Sequence, residues 1–304
     1  MEEIKMKEKT SKTKDRLYIL RDNIIASMKK EGLKWVKPWL SSGMEPRNID
    51  NGFYSGINWW SLNYEMSIKK HKHNYWATFL QWKKRSAIVK TGQKATYVFY
   101  MGTAKDKKAS TEDKKKLYKF FKSYAVFNVS QVDLSGSDYK VPEIKKPSSE
   151  QYTIEAIETF IKATKINVKH DDLNRCFYSQ TLDYVNMVPK NKFKDCDGAS
   201  ATVHYYSTLF HEFIHATGHS NRLDRVATYK NKFKDNAQQE YSYEELVAET
   251  GSALLSQHFN IEKTLRDNHS AYIKTWIKNL NDDIKFLTSA LSKSYRAYSY
   301  LIKR

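Results

Sequence analysis

Cysteine is almost missing from this chain. Cys176 and Cys196 are the only two in 304 residues, too few for a disulfide framework or for a zinc site built from thiolates. Long apolar runs are missing too. The longest cover only a few residues, so nothing in the sequence has the length to span a bilayer as a helix. The N-terminus is rich in Lys and Glu and lacks the apolar core of a secretory signal. Together these absences point to a reducing, cytoplasmic setting. No internal repeat is visible, and no helix-turn-helix or cysteine-type finger that would read duplex DNA.

Acidic residues are also in short supply, and the shortage is local. Residues 1–150 hold 31 Lys+Arg against 16 Asp+Glu, a net of +15, while the remainder holds 21 against 18, a net of +3. Six of the seven tryptophans (35, 39, 59, 60, 76 and 82) fall in the basic half. A basic, Trp-rich segment beside a near-neutral one suggests two modules with different partners. Twenty-one Tyr and fourteen Phe exclude a disordered chain, which would be poor in aromatics. Single-stranded nucleic acid is bound by cations along its backbone and by aromatic faces against its unstacked bases. Lys34, Trp35, Lys37, Trp39, Arg47, Lys83, Lys84, Arg85, Lys90 and Lys94 are the candidates for that work. For Trp59, Trp60 and Trp76 the competing reading is core, because large rings at helical spacing usually face inward. Trp35 and Trp39 lie in a stretch that Pro38 keeps extended, and for them the two readings balance.

Periodicity predicts an α+β chain. Residues 1–15 read as a charged, mobile tail, and Leu17, Leu20, Ile24, Ile25 and Met28 predict a helix over 16–30, ended by Gly32. Further helices are expected at 57–69 and 78–85, a hairpin turn at Asp50–Phe53, and strands at 96–101 and 124–129. Between those strands a Lys-rich stretch, 104–119, reads as a long basic loop or ribbon. Residues 134–149, with Pro142 and Pro147, read as a linker between a domain at 16–133 and one at 150–304. Beyond it come an amphipathic helix at 151–165, strands at 166–168, 176–179 and 184–188, and helices at 203–217, 243–258 and 268–290 with a short helical tail to 304.

The sharpest signal is the His-Glu-x-x-His pattern of His211, Glu212 and His215. Two His four residues apart on a helix share a face and reach one metal ion. Glu212, next to a ligand, is placed to take a proton from a water at the metal. Zinc brings that water's pKa down toward about 7. A catalytic zinc needs a third protein ligand, and the helix carrying Glu244, Glu245 and Glu249 offers one. Glu245 and Glu249 share a face while Glu244 is expected to point elsewhere. Glu245 is assigned as ligand and Glu249 as acceptor behind a histidine N–H, with the reverse open and His219 as an alternative third ligand. One zinc per chain follows. A donor for the oxyanion is left open among Tyr206, Tyr229, Tyr243 and His219. His71 and His73 read as polar loop contacts, and His204 as either a support for the site or packing.

With these residues in place, the chain resembles the ArdC-type antirestriction proteins of conjugative plasmids and related mobile elements. The shared motifs are Tyr205–His219 with Arg222–Arg225 behind it, Tyr243–Gly251, Asn268–Trp276, and Asp183 with Met187–Pro189. In the basic half they are Pro38 and Trp39, Pro46–Asn48, Tyr54–Asn58, Trp76–Phe79, Lys90–Lys94 and Tyr124–Val129. The resemblance implies an N-terminal mixed α/β domain that binds single-stranded DNA, followed by a zincin-like metallopeptidase domain of the gluzincin kind. It also implies an antirestriction role for a mobile element or phage, with proteins at DNA as targets and an unknown protein substrate. The alternative is a non-enzymatic protein that shields incoming single-stranded DNA and keeps a structural zinc domain. The chain departs from its relatives in the Lys-rich stretch at 104–119 and in Ala216, where many have a larger aromatic.

Overall fold

The structure, a computed structural model, describes residues 2–32, 35, 45–50, 52–105, 117–143, 150–171, 173–196, 198–225, 236–261 and 270–303. Lys34, Lys37, Trp39 and Tyr229 lie outside the described residues. Two compact units emerge, Met1–Asn23 with Glu45–Pro142, and Ile24–Met44 with Glu143–Arg304.

Helix α1 (Glu2–Glu31) begins well before Arg16 and runs through the stretch expected to be a mobile tail. Glu, Lys and Met, all strong helix formers, dominate its first turns. The five apolar positions that predicted the helix are all buried, and Gly32 ends it at φ 53, a left-handed angle that costs a residue without Cβ little. In the first unit, a four-stranded sheet forms from β1 (Arg47–Asn48), β2 (Tyr75–Thr78), β4 (Thr96–Lys105) and β5 (Leu117–Asn128) in the order β1-β2-β5-β4. Only the β1–β2 pair is parallel. A separate ribbon pairs β3 (Ile88–Val89) with β6 (Val132–Asp133). The short strands β1, β2, β3 and β6, two to four residues each, were not expected from the sequence. The turn expected at Asp50–Phe53 passes through Asn51, which lies outside the described residues; beside it Asn48 N–H donates to Gly52 O at 2.7 Å.

Helix α2 (Ile57–Ile68) lies along β4, the edge of that sheet. The amide of Asn58 grips the edge backbone. Phe99 N–H donates to Asn58 Oδ1 at 2.6 Å and Asn58 Nδ2 donates to Phe99 O at 2.7 Å. These bonds satisfy edge groups that would otherwise invite another strand. Trp59, Trp60, Trp76 and Trp82 are all buried, so the core reading holds for the first three. Trp76 hands its Nε1–H to Asn74 Oδ1 at 2.6 Å, and Asn74 donates to Asn63 at 2.8 Å, which keeps these buried polar groups paired. The short helix α3 (Phe79–Lys84) opens with a capping box between Thr78 and Gln81.

Among the described residues beyond 149, the second unit contains α4 (Glu150–Thr164), a sheet of β7 (Asn167–His170), β8 (Phe177–Ser179) and β9 (Tyr184–Met187) in the order β7-β9-β8, and four further helices. These are α5 (Ala201–Ala216), α6 (Ala237–His258), α7 (Ser270–Asp282) and α8 (Ile284–Ile302). The single helix expected at 268–290 is therefore two. Asp283 breaks it and caps the second piece by accepting the Lys285 N–H at 2.8 Å, a capping signal present in the sequence and missed. Among the described residues, no helix is long and apolar enough to cross a membrane.

Candidate metal centre

Helix α5 starts at Ser200, whose hydroxyl accepts the Val203 N–H, and it buries Leu209, Phe210, Phe213 and Ile214 completely. Phe160 of α4 packs edge-on against Phe210, with ring centroids 6.1 Å apart. That packing draws the helix inside and leaves His211 and Glu212 only 1% and 2% exposed. Buried groups of this polarity need partners, and α6 brings them.

His211 Nε2 and His215 Nε2 face each other at 3.0 Å, and the two oxygens of Glu245 stand 3.4 Å from one and from the other. Ligand atoms about 2.0–2.2 Å from a tetrahedral zinc lie roughly 3.3–3.5 Å apart, so the three side chains leave space for one ion at their centre. Two imidazole nitrogens with one carboxylate oxygen suit zinc better than the cations that prefer all-oxygen sites. The residues present fit the metal.

Behind the Nε2 atoms, each ring turns its other nitrogen to a carboxylate. His211 Nδ1 lies 3.6 Å from Glu249, and His215 Nδ1 lies 3.2 Å from Glu244. Glu244 does leave the face shared by Glu245 and Glu249, but it turns toward His215 and not away from the site, which corrects the sequence expectation. Arg225 holds Glu244 with two bonds, at 2.6 and 3.0 Å, and also donates to Thr217 Oγ1 and Ile214 O. Burial alone would raise the Glu244 carboxyl, yet the Arg225 guanidinium and His215 hold it down at about 2. For His215, burial disfavours the charged ring, but Glu245 and Glu244 outweigh it and push the imidazole up to about 10. The site is a pocket of negative potential that favours a cation.

Two glycines admit these contacts. A Cβ on Gly218 would stand 3.0 Å from Arg225 Nη2 and 3.1 Å from His215 O, so the missing side chain is what lets Arg225 pass beneath the helix end. A Cβ on Gly251 of α6 would meet three carbons of Ile214 at 2.9–3.0 Å. Ile214 is branched and presents all three, so rotation does not clear it. Gly251→Ala is expected to wedge α6 from α5, costing about 1–3 kcal/mol for overpacking against a helix-propensity gain of about 1. Thermal unfolding with and without metal should show a lower Tm and weaker stabilisation by the ion; an unchanged curve would mean the helices repack freely.

His219 Nδ1 accepts the Asn221 N–H at 3.2 Å and lies 3.9 Å from Asp183, and among the described residues the metal-competent group is His211, His215 and Glu245. Tyr243 is fully buried and donates to Ser289 Oγ at 2.6 Å. Two residues before Glu245, it faces the opposite side of α6, which removes it as an oxyanion donor. Tyr206 is spent on Glu158 at 2.6 Å. His204, half-buried in the first turn of α5, meets Cys196 Sγ at 3.1 Å and is not part of the metal-competent group. His71 meets Ser130 Oγ at 2.6 Å, a polar loop contact as expected.

Of the nucleic-acid candidates, Trp35 is buried to 1% and groups with the second unit, so it offers no face to a base. Lys83, Lys84, Lys90 and Lys94 are exposed in the first unit. Arg85 pairs with Asp50 at 2.9 Å, and Arg47 lies 4.2 Å over the Phe53 ring. Among the described residues of this unit, the rings that reach solvent most are Phe53, Phe79, Tyr100 and Tyr124, 45–54% exposed. The sequence reading missed them by looking for tryptophan.

Comparison with known proteins supports both halves. Residues 155–293 match a family described as zincin-like metallopeptidase, and residues 14–127 match the N-terminal domain of anti-restriction factor ArdC. An uncharacterized protein of Sinorhizobium fredii is 28% identical over 306 residues, covering 97% of this chain and 94% of its own length. A DNA primase TraC of Escherichia coli is 26% identical over 284 residues, and there the chain spans only 24% of the relative's length. Two crystal structures of the antirestriction ArdC protein from R388 plasmid, one metal-free and one Mn(II)-bound, superpose with a TM-score of 0.74 at 28% identity. Each covers 94% of this chain, and the chain covers 96% and 97% of them.

Proposed function

Since this chain belongs to the ArdC-type antirestriction proteins, an ArdC N-terminal domain joined to a zincin-like metallopeptidase domain, we propose that it binds single-stranded DNA through the first unit and hydrolyses peptide bonds of proteins there with the second. The observation that carries the reading is the built metal cage: two imidazoles and a carboxylate at 3.0–3.4 Å, each imidazole backed by a further carboxylate. A structural zinc site is closed by four protein ligands, whereas three leave one position free for substrate or water.

Bound zinc would supply a Lewis acid that polarises the scissile carbonyl and acidifies water. His211, His215 and Glu245 would hold it, and Glu249 and Glu244 would fix the orientation of the two rings. Glu212, one residue from His211, accepts the proton of the attacking water and passes it to the departing amine. The excess positive charge of residues 1–150 attracts the DNA and concentrates DNA-bound proteins at the site.

The test uses the full chain loaded with zinc and mixed with unrelated protein, with and without single-stranded DNA. Mass spectrometry should find new fragments, and a chelator should stop their appearance. DNA affinity should fall with salt at a slope of about −0.7 per phosphate contacted. No fragments under any condition removes the peptidase half and leaves a shielding protein with a zinc-stabilised domain. A salt-independent affinity, or a preference for duplex, removes the DNA half.

A further inference from the structure

The β4–β5 hairpin extends from the sheet as ten paired residues on β4, from Thr96↔Val126 to Lys105↔Leu117. Side chains alternate across it, so one face carries Val98, Tyr100 and Gly102 with Phe120, Lys122 and Tyr124. The other face is covered at its base. Arg16 of α1 lies 3.7 Å over Tyr97, Thr13 and Arg16 bond Ser123, and Phe99 stacks on Phe121 at 5.7 Å. The outer edge is held by Asn58 and Ser61 of α2. Val98, at the base of the first face, is in the core with Trp76 and Val126.

Beyond Val98, that first face opens to solvent. Tyr100 is 54% exposed and Tyr124 is 45% exposed. Lys122 pairs directly with Tyr100, is two residues from Phe120 and from Tyr124, and sets its Nζ 4.8 Å over the Phe120 ring. Tyr100 and Phe120 lie 5.8 Å apart, with Gly102 making room; a Cβ there would approach them to 2.8 and 2.6 Å. Lys122 is the cation on this face, and neither strand contains Asp or Glu.

We propose that this face, with Tyr100, Phe120 and Tyr124 set around Lys122, is a stacking platform for the bases of single-stranded DNA. The inference rests on the single-strand reading above and deepens it by naming the surface. Flat rings half in water suit unstacked bases, which present a π-face whatever their sequence. A cation between the rings neutralises the phosphate that joins neighbouring bases. Two strands without carboxylates, in a segment of net charge +15, fit a polyanion and repel a basic protein partner.

Fluorescence anisotropy of the full chain with a labelled oligothymidylate tests it. The double variant Tyr100→Ala/Tyr124→Ala should weaken binding about 10-fold or more, with an unchanged salt slope because phosphate contacts persist. Tyr100→Trp should restore affinity, and Lys122→Ala should flatten the salt slope by about 0.7. Met101→Ala, on the opposite face and 77% exposed, is the control and should bind as wild type. Should the double variant unfold, photocrosslinking of wild type to an iodouracil oligonucleotide decides, and the adduct must map to Tyr100, Phe120 or Tyr124. Wild type that does not bind at all defeats the single-strand reading itself. Normal binding by the double variant, crosslinks confined elsewhere, or a change in sedimentation without a change in DNA affinity overturns the platform, the last marking a face between copies of the chain.

Discussion

Glu212→Gln is expected to lower peptide hydrolysis by about 10²–10⁴-fold, the usual contribution of a positioned general base. The amide has nearly the shape of the carboxylate, so the buried position on α5, 2% exposed, stays filled. Glu212 is not one of the three residues that converge on the metal position, so metal content should remain near one ion per chain. DNA affinity should not move, because the change lies outside the basic unit. The measurement is a set of three on one preparation: cleavage rate, bound metal by atomic absorption, and oligonucleotide affinity. Cleavage at the wild-type rate rules out Glu212 as the base. Loss of metal together with activity would mean that the residue holds the ion.

The metal trio was legible because a helix converts spacing into direction. His211 and His215 four apart, and Glu245 on a following acidic helix, sufficed to bring three side chains to one point. Glu249 was legible by the same rule. Glu244 was not, because its partner is His215 Nδ1 at 3.2 Å, and a face defined by α6 alone cannot show where α5 crosses it. Arg225 stands out in the sequence only as part of a motif; its four bonds to Glu244, Thr217 and Ile214 appear once the chain turns back under the end of α5. Gly218 and Gly251 tell a similar story, since neither has an unusual φ and each is explained by what approaches it. In the basic half, charge and aromatic content were visible as totals. Which rings face water depends on the pleat of β4 and β5 and on the cover that α1 and α2 provide. Trp35, Trp59, Trp60, Trp76 and Trp82 went to the interior, where large rings gain most from leaving water.

The three carboxylates of α6 should separate by function when each is changed to Ala. Glu245 faces both Nε2 atoms at 3.4 Å, and its loss should remove metal to near background, as should His215→Ala. Glu249 and Glu244 face the Nδ1 atoms at 3.6 and 3.2 Å. Removing a group that only orients a ligand typically weakens binding about 10–100-fold, so both variants should still take up zinc when it is in excess. Glu244→Ala carries a second penalty, because it strands the Arg225 guanidinium, 4% exposed, without its carboxylate. A buried charge left unpaired costs about 3–5 kcal/mol, so this variant should unfold at the lowest temperature of the three even when metal is saturating. Glu244→Gln keeps an acceptor for both neighbours and should recover part of the loss. Competition titrations against a chromophoric chelator give the affinities, and calorimetry gives the unfolding order. Tighter metal binding by Glu245→Ala than by Glu249→Ala would exchange their functions and make Glu249 the ligand.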